Sequence, residues 1–279
     1  VSQAAVSGYD RGAMPRPGRS ALRLVALAAL CGSAAAQDSV VELGYDVRYG
    51  PLPILAMEVR SEVDGDRYRA TSTVRTKGLI DKLYHWQSTS ESRGRREGLA
   101  LRPEWHRSDG LYRSERRTVA IDYPLDGPVR AVVTPRPERK HDVVPDDLQQ
   151  ATVDPLTASL LTVGTACRGL VPVFDGRRRY DLRLEELAPA TVPRSRGALF
   201  VGRARRCRAT VEARAGHWRD DPRDSDTPTT LDYWIASPAE RVPPVPVYLE
   251  LSGARGTLGI VLTSARVPDV PETGGAPSS

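Results

Sequence analysis

The chain of 279 residues carries few groups able to do chemistry, and their spacing limits how each can be used. His85, His106, His141 and His217 stand singly, at no spacing that would place two imidazoles on one metal. His85 and His106 adjoin Trp86 and Trp105, so both read as strand residues, packed or exposed according to alternation. A general base would also need a partner geometry that spacing does not supply. His217 with Asp220, Asp221, Asp224 and Asp226 is the densest set of hard ligands and would suit calcium. It lacks the glycine of the sharp turn and the distal glutamate of a calcium loop, so it reads as a solvated acidic loop. Asp175, Asp181, Glu185 and Glu186 could furnish the paired carboxylates of an envelope-polymer hydrolase, although Asp175 is better used by a turn. No glycine-rich loop follows a strand and opens a helix, and neither H-E-x-x-H nor G-x-S-x-G occurs. These residues predict no cofactor, no metal and no catalytic constellation.

Cysteine chemistry depends on compartment, and the N-terminal region reads as an address. From Met14 the order is Arg16, Arg19 and Arg23, an apolar run over 24–30, and Ala34, Ala35 and Ala36 ahead of the polar Gln37. That is the three-part plan of a secretory signal, cleaved between Ala36 and Gln37, with residues 1–13 an upstream extension. The apolar run is far shorter than the ~20 residues of a membrane-spanning helix, so the mature chain is expected to hold no transmembrane segment. Cys31 invites a lipoprotein reading, but Leu30 precedes it where a small residue is wanted. Export would leave Cys167 and Cys207 as an even pair in an oxidising compartment, where a disulfide is expected. The competing use of Cys167 as a nucleophile needs a base and a depressed thiol pKa.

Charge narrows the partners. Lys+Arg 40 against Asp+Glu 35 gives +5, but residues 1–36 carry +3 of it, leaving the rest near +2. Arg177, Arg178 and Arg179, and Arg203, Arg205 and Arg206, then read as solvated strand faces and not as a phosphate footprint, so no nucleic-acid partner is expected. Lys77, Lys82 and Lys140 are the lysines and asparagine is absent, a bias that fits a high-GC genome.

The elements that must position these residues are short alternating segments separated by turn residues, the pattern of antiparallel sheet. Strands are predicted over 40–49, 54–63, 67–76, 84–92, 99–107, 111–123 and 129–134. A polar, proline-punctuated excursion spans 135–152. Asp154 then caps a helix that has Pro155 in its first turn and Leu156, Leu160, Leu161 and Val163 as its apolar stripe, lying across the sheet. Asp175 and Gly176 predict a tight hairpin turn pairing 171–174 with 177–184, with Phe174 and Tyr180 toward the core and the arginines, Arg177 among them, mostly toward solvent. Further strands follow over 198–213, 230–236, 245–252 and 256–267. One β-rich domain is thus expected over 37–267, with a disordered tail over 268–279.

The segments Thr76-Lys77-Gly78-Leu79, Leu83 to Ser88, Leu101-Arg102-Pro103-Glu104, Ile121-Asp122-Tyr123, Asp126-Gly127-Pro128, Thr152 to Ala158 and Cys167 carry a resemblance, most specifically through the run Val171 to Leu182. In these the chain resembles the DUF3108 family, exported bacterial proteins of unknown function, over nearly all of the mature part. Leu55 and Ala56 stand where such proteins often have a second glycine after the first hairpin. The resemblance implies a mostly antiparallel fold, a curved half-barrel with one short helix packed against it, similar in outline to bacterial lipoprotein carriers. The function expected is that of a non-enzymatic periplasmic protein whose concave sheet binds or carries an apolar or amphiphilic envelope molecule. The alternatives are an envelope interaction protein with a filled core and an envelope-polymer hydrolase. An open apolar cavity would favour the first over the second, and convergent carboxylates in a cleft the third.

Overall fold

The computed structural model describes residues 39–112, 115–136, 142–216, 230–253 and 256–268. The signal with Cys31, Ala36 and Gln37, the acidic loop with His217 and its four aspartates, His141, and the tail from 269 lie outside the described residues.

Among the described residues, alternating segments punctuated by turns become thirteen strands of one antiparallel sheet. Successive hairpins build a first arm: β1 (Ser39–Tyr49), β2 (Leu52–Asp64), β3 (Arg67–Thr76), β4 (Trp86–Glu97), β5 (Ala100–Tyr112), β6 (Glu115–Asp122) and β7 (Arg130–Thr134). A second arm holds β8 (Gly169–Phe174), β9 (Arg179–Thr191), β10 (Arg203–Ala215), β11 (Thr230–Ala236), β12 (Val245–Gly253) and β13 (Gly256–Arg266). Pairing of β1 with β13 joins the arms and leaves β7 and β8 as the two edges, so the hydrogen-bonded ladder is not closed. Among the described residues three short helices accompany the sheet, α1 (Leu79–Leu83), α2 (Asp146–Gln149) and α3 (Pro155–Gly164), where sequence predicts one.

Only α3 packs broadly on the sheet. It contacts β8 at one edge and β3, β4 and β5 toward the other. Strands so far apart in the order can reach one ten-residue helix only if the sheet curls around it. Its apolar side joins Val171, Val173, Leu184, Cys207 and Tyr233 in a buried cluster with Ala158, and Leu161 packs against it. A second cluster spans β1, β12 and β13 with the 192–202 loop, and a third is Ile121, Val144 and Phe174. That third cluster is the seam where β7 and β8 approach without pairing with each other, the outer side of β8 being bridged instead by Val153, which donates to Pro172 O and accepts from Phe174 N–H, both at 2.9 Å. Gly176 has φ 87°, and a Cβ there would stand 2.8 Å from Val119 Cγ1 of β6, so only glycine fits the approach. Arg177 Nη2 donates to Pro135 O at 2.7 Å, and Arg179 Nε to Leu148 O at 3.1 Å.

Several expectations shift. The strand expected over 111–123 is two, β5 and β6, turning between Tyr112 and Glu115. The stretch expected as strand from 198 is loop up to Arg203, because β9 runs on to Thr191. Leu55 and Ala56 pair with Val47 and Asp46 of β1, beside a register shift at Ile54, and the first hairpin turns at Gly50-Pro51 without a second glycine. The Asp175 hairpin is also longer than a two-residue turn. Phe174 pairs with Arg179, and Asp175 Oδ1 accepts the N–H groups of Arg177 and Arg178, closing a four-residue loop. Phe174 is buried and Arg178 exposed as expected, but Arg177 and Arg179 stitch the seam and do not point to solvent.

Candidate functional site

Where α3 begins, Asp154 takes an extended conformation before Pro155 and its Oδ1 accepts the N–H groups of Leu156 and Thr157 at 3.0 and 2.9 Å. This is the cap that sequence predicts. The carboxylate also faces the sheet. Ser92 Oγ donates to its Oδ1 at 2.6 Å, Thr157 Oγ1 donates to its Oδ2 at 2.6 Å, and His106 Nδ1 lies 3.2 Å from Oδ1. Since the Ser92 hydrogen is given to Asp154, Ser92 Oγ accepts from His106 Nδ1 at 2.9 Å. By the same reasoning Tyr68 donates its phenol to Thr157 Oγ1 at 2.8 Å. Tyr68 reaches that far because Gly94 lies under its ring, where a Cβ would stand 2.7 Å from Tyr68 Cε1. Burial pushes the Asp154 carboxyl up, but the hydrogen bonds from His106, Ser92 and Thr157 outweigh it and hold the group below the usual carboxylate range.

Serine, histidine and aspartate within hydrogen-bond reach invite a nucleophilic reading. The geometry is not that of a relay. In a relay the imidazole stands between acid and hydroxyl and uses both ring nitrogens, whereas here Ser92 and Asp154 meet the same nitrogen and bond each other directly. Ser92, Asp154 and Thr157 are each 0 % exposed. The set orients a helix.

Beside this network a groove of about 370 Å³ opens between α3 and the sheet. Its floor is a register row, Ser72 opposite Ser90 and Ser90 opposite Ser108, on three adjacent strands. Leu156 and Ser159 of α3 form one wall, and Asp175 and Arg177 of the seam another, with His106 shared between groove and network. Burial, then the nearby Arg117, push the Arg177 pKa down, yet a guanidinium keeps its charge at any ordinary pH. Such a groove can accept hydrogen bonds, donate them, and meet one negative charge. The concave face is therefore occupied by α3 and hydroxyl-lined beside it, in contrast to the open apolar surface expected for an apolar cargo.

The other residues singled out by sequence fall as follows. Cys167 and Cys207 are joined, with Cα atoms 5.7 Å apart, inside the apolar cluster under α3. Tyr180 packs against that cluster. His85 is exposed and bonds Asp81 at 2.8 Å. The four carboxylates do not converge, since Asp175 serves its turn, Asp181 is bound by Arg179 and Arg214, Glu186 pairs with Arg168 and Glu185 is exposed. Among the described residues no group of His, Cys, Asp and Glu could hold a metal ion, and no helix is long and apolar enough to cross a membrane. Sequence reasoning passed over Tyr68, Ser92 and Thr157. The signal available was the repetition of small polar residues at alternate positions of neighbouring strands, Ser88, Ser90 and Ser92 against His106, Ser108 and Gly110.

The network and the seam draw on the stretches Thr152 to Ala158 and Val171 to Leu182, the segments on which the sequence resemblance rests. The model of the family described as "Protein of unknown function (DUF3108)" matches residues 44–263. The chain belongs to the DUF3108 family. No curated protein matches it. The chain is similar to a solved β-barrel-like protein of the DUF1849 domain of unknown function from Brucella abortus, at 9% identity over 83% of this chain and 98% of that one, with a TM-score of 0.49. The family match spans all thirteen strands at least in part, so in this DUF3108 chain network and groove belong to the family domain itself.

Proposed function

We propose that this protein is a non-enzymatic binding protein of the cell envelope, acting outside the cytoplasm, whose groove beside α3 holds the polar portion of an amphiphilic envelope molecule. The observation that carries the reading is the row Ser72, Ser90 and Ser108. A sheet face covered by a helix is ordinarily apolar, and three adjacent serines there leave unfilled space lined by hydroxyls. Arg177 at the rim suits an acidic or strongly dipolar headgroup, and Leu156 and Val119 offer an apolar flank. The joined cysteines support an oxidising compartment, and with it export. The absence of a relay at Ser92, with its hydroxyl fully buried, supports binding without turnover.

The test is mass spectrometry of organic extracts from protein purified out of the envelope, wild type beside Ser90→Leu, which fills the groove floor. An amphiphile recovered from the wild type and lost from the variant, with unchanged melting, is the expected result. Equal recovery from both proteins would remove the groove from the reading, and turnover of the recovered molecule by purified protein would move it to a hydrolase. A second reading, an interaction protein with a filled core, is favoured by one observation: α3 occupies the concavity. Extracts empty from both proteins would select it.

A further inference from the structure

A second surface lies on the opposite face of the sheet and is independent of the groove. Val47, Leu55 and Thr76 share a register row on the face that carries Tyr68 and α3, so Asp46 and Arg48 point the other way. There the Gly50-Pro51 turn and the loop carrying Arg194 to Gly197 flank a cleft of about 760 Å³. Arg48 clamps turn to loop, donating to Pro51 O at 2.9 Å and to Arg196 O at 3.2 Å.

Two features of this cleft coincide. Its charge is unbalanced: Asp46 is the one acid in its lining, and Lys77 at 2.6 Å and Arg48 at 3.6 Å already neutralise it. Arg194 and Arg196 are exposed and pair with no carboxylate among the described residues. Many arginines on the sheet are matched, as Arg60 is by Glu42 and Glu62, Arg69 by Glu91, Arg183 by Glu212 and Arg208 by Asp232, whereas Arg96, Arg130, Arg203 and Arg205 stand apart from carboxylates among the described residues but on different strands from this cleft. The second feature is apolar. The loop also bears large side chains in solvent, Leu199 at 42% and Val201 at 72% exposure, whereas Tyr49 and its register partner Leu52 alternate to the face of Val47. Unpaired arginines alone would serve a dissolved oxyanion or a nucleic acid. Arginines among exposed apolar tips match a partner that presents negative charge over a hydrocarbon layer.

We propose that the 193–201 loop beside the β1–β2 tip forms a docking surface for an anionic lipid layer, Arg194 and Arg196 meeting headgroup oxyanions while Leu199 and Val201 enter the interface. The surface works by non-covalent attraction and needs no ligand in the groove.

Flotation of the full chain with vesicles tests it, using phosphatidylcholine alone against phosphatidylcholine with roughly one third phosphatidylglycerol. Residues 1–36 are the same in every variant, so differences between variants read this surface alone. Arg194→Ala with Arg196→Ala should weaken binding to the anionic vesicles about 25-fold, from about fivefold per charge removed at the surface. Leu199→Ser with Val201→Ser should weaken it as well, and high salt should lower it in wild type more than in the arginine variant. All four side chains are exposed, so melting should not move. Binding that is equal for neutral and anionic vesicles, or unchanged in the arginine variant, overturns the proposal. Loss of binding on addition of millimolar inorganic phosphate at constant ionic strength would overturn it too, by showing a site for the dissolved ion.

Discussion

On the β8–β13 arm, α3 meets Val171, Val173, Leu184 and the joined cysteines. On the β3–β5 arm it meets Tyr68, Ser92 and His106 through Asp154 and Thr157. The first contact is made by burial, which is tolerant of small shifts because it is proportional to area. The second is made by directional bonds among buried groups, which depend on distance and angle. The difference explains why the groove lies where it does. An arm held by area must be filled, whereas an arm held by a few bonds to one carboxylate can keep small residues, Ser72, Ser90 and Ser108, and leave room beside the helix.

The largest effect should come from removing the shared acceptor. Asp154→Ala leaves the Leu156 and Thr157 amides, Ser92 and His106 without their buried partner and should cost about 3–5 kcal/mol in denaturant unfolding. A loss below about 1 kcal/mol would mean the polar arm does not hold the helix. The same residue gives a pH signature. Its folded pKa lies below the unfolded value near 3.9, so its stabilisation is complete above that value and is lost as pH falls through the folded pKa. Asp154→Asn should therefore flatten part of the acid limb of stability below about pH 4, while other carboxylates held low, among them Asp181, Asp232 and Glu91, where burial pushes the group up and arginine partners outweigh it, keep the rest.

On the apolar arm, Cys167→Ala with Cys207→Ala opens a loop of sequence separation 40 and should cost about 4 kcal/mol on the chain-entropy account. The groove should survive, so a variant that melts lower yet keeps any ligand found in the wild type would sharpen the division between the arms. At the seam, Phe174→Ala should cost about 3 kcal/mol, since Ile121 and Val144 lose their partner across it. Arg178→Ala, one turn position from the seam arginines but exposed, should stay within about 0.5 kcal/mol. A large loss at Arg178 with none at Phe174 would reverse the account of how the edges meet.

Much of this was written locally. Strand alternation, turn glycines, the Asp154-Pro155 helix start and the even cysteine pair all depend on neighbours in the chain, or on cysteine chemistry alone, and they determined an antiparallel sheet with α3 capped by Asp154. What local pattern could not carry was the second use of Asp154. Ser92 and His106 are 62 and 48 residues away, and only the curvature that folds β4 and β5 under the start of α3 turns a helix cap into a buried network. The same holds for Arg177 and Arg179, which alternate like surface residues but become seam residues once two edges approach. It holds too for Arg194 and Arg196, whose lack of a carboxylate among the described residues is a fact about distance in space. Sequence determined which residues lie on which face of each strand, because side-chain direction has period two. Tertiary structure alone decided which faces meet, because the bend of a thirteen-stranded sheet is the sum of many small twists and no short segment encodes it.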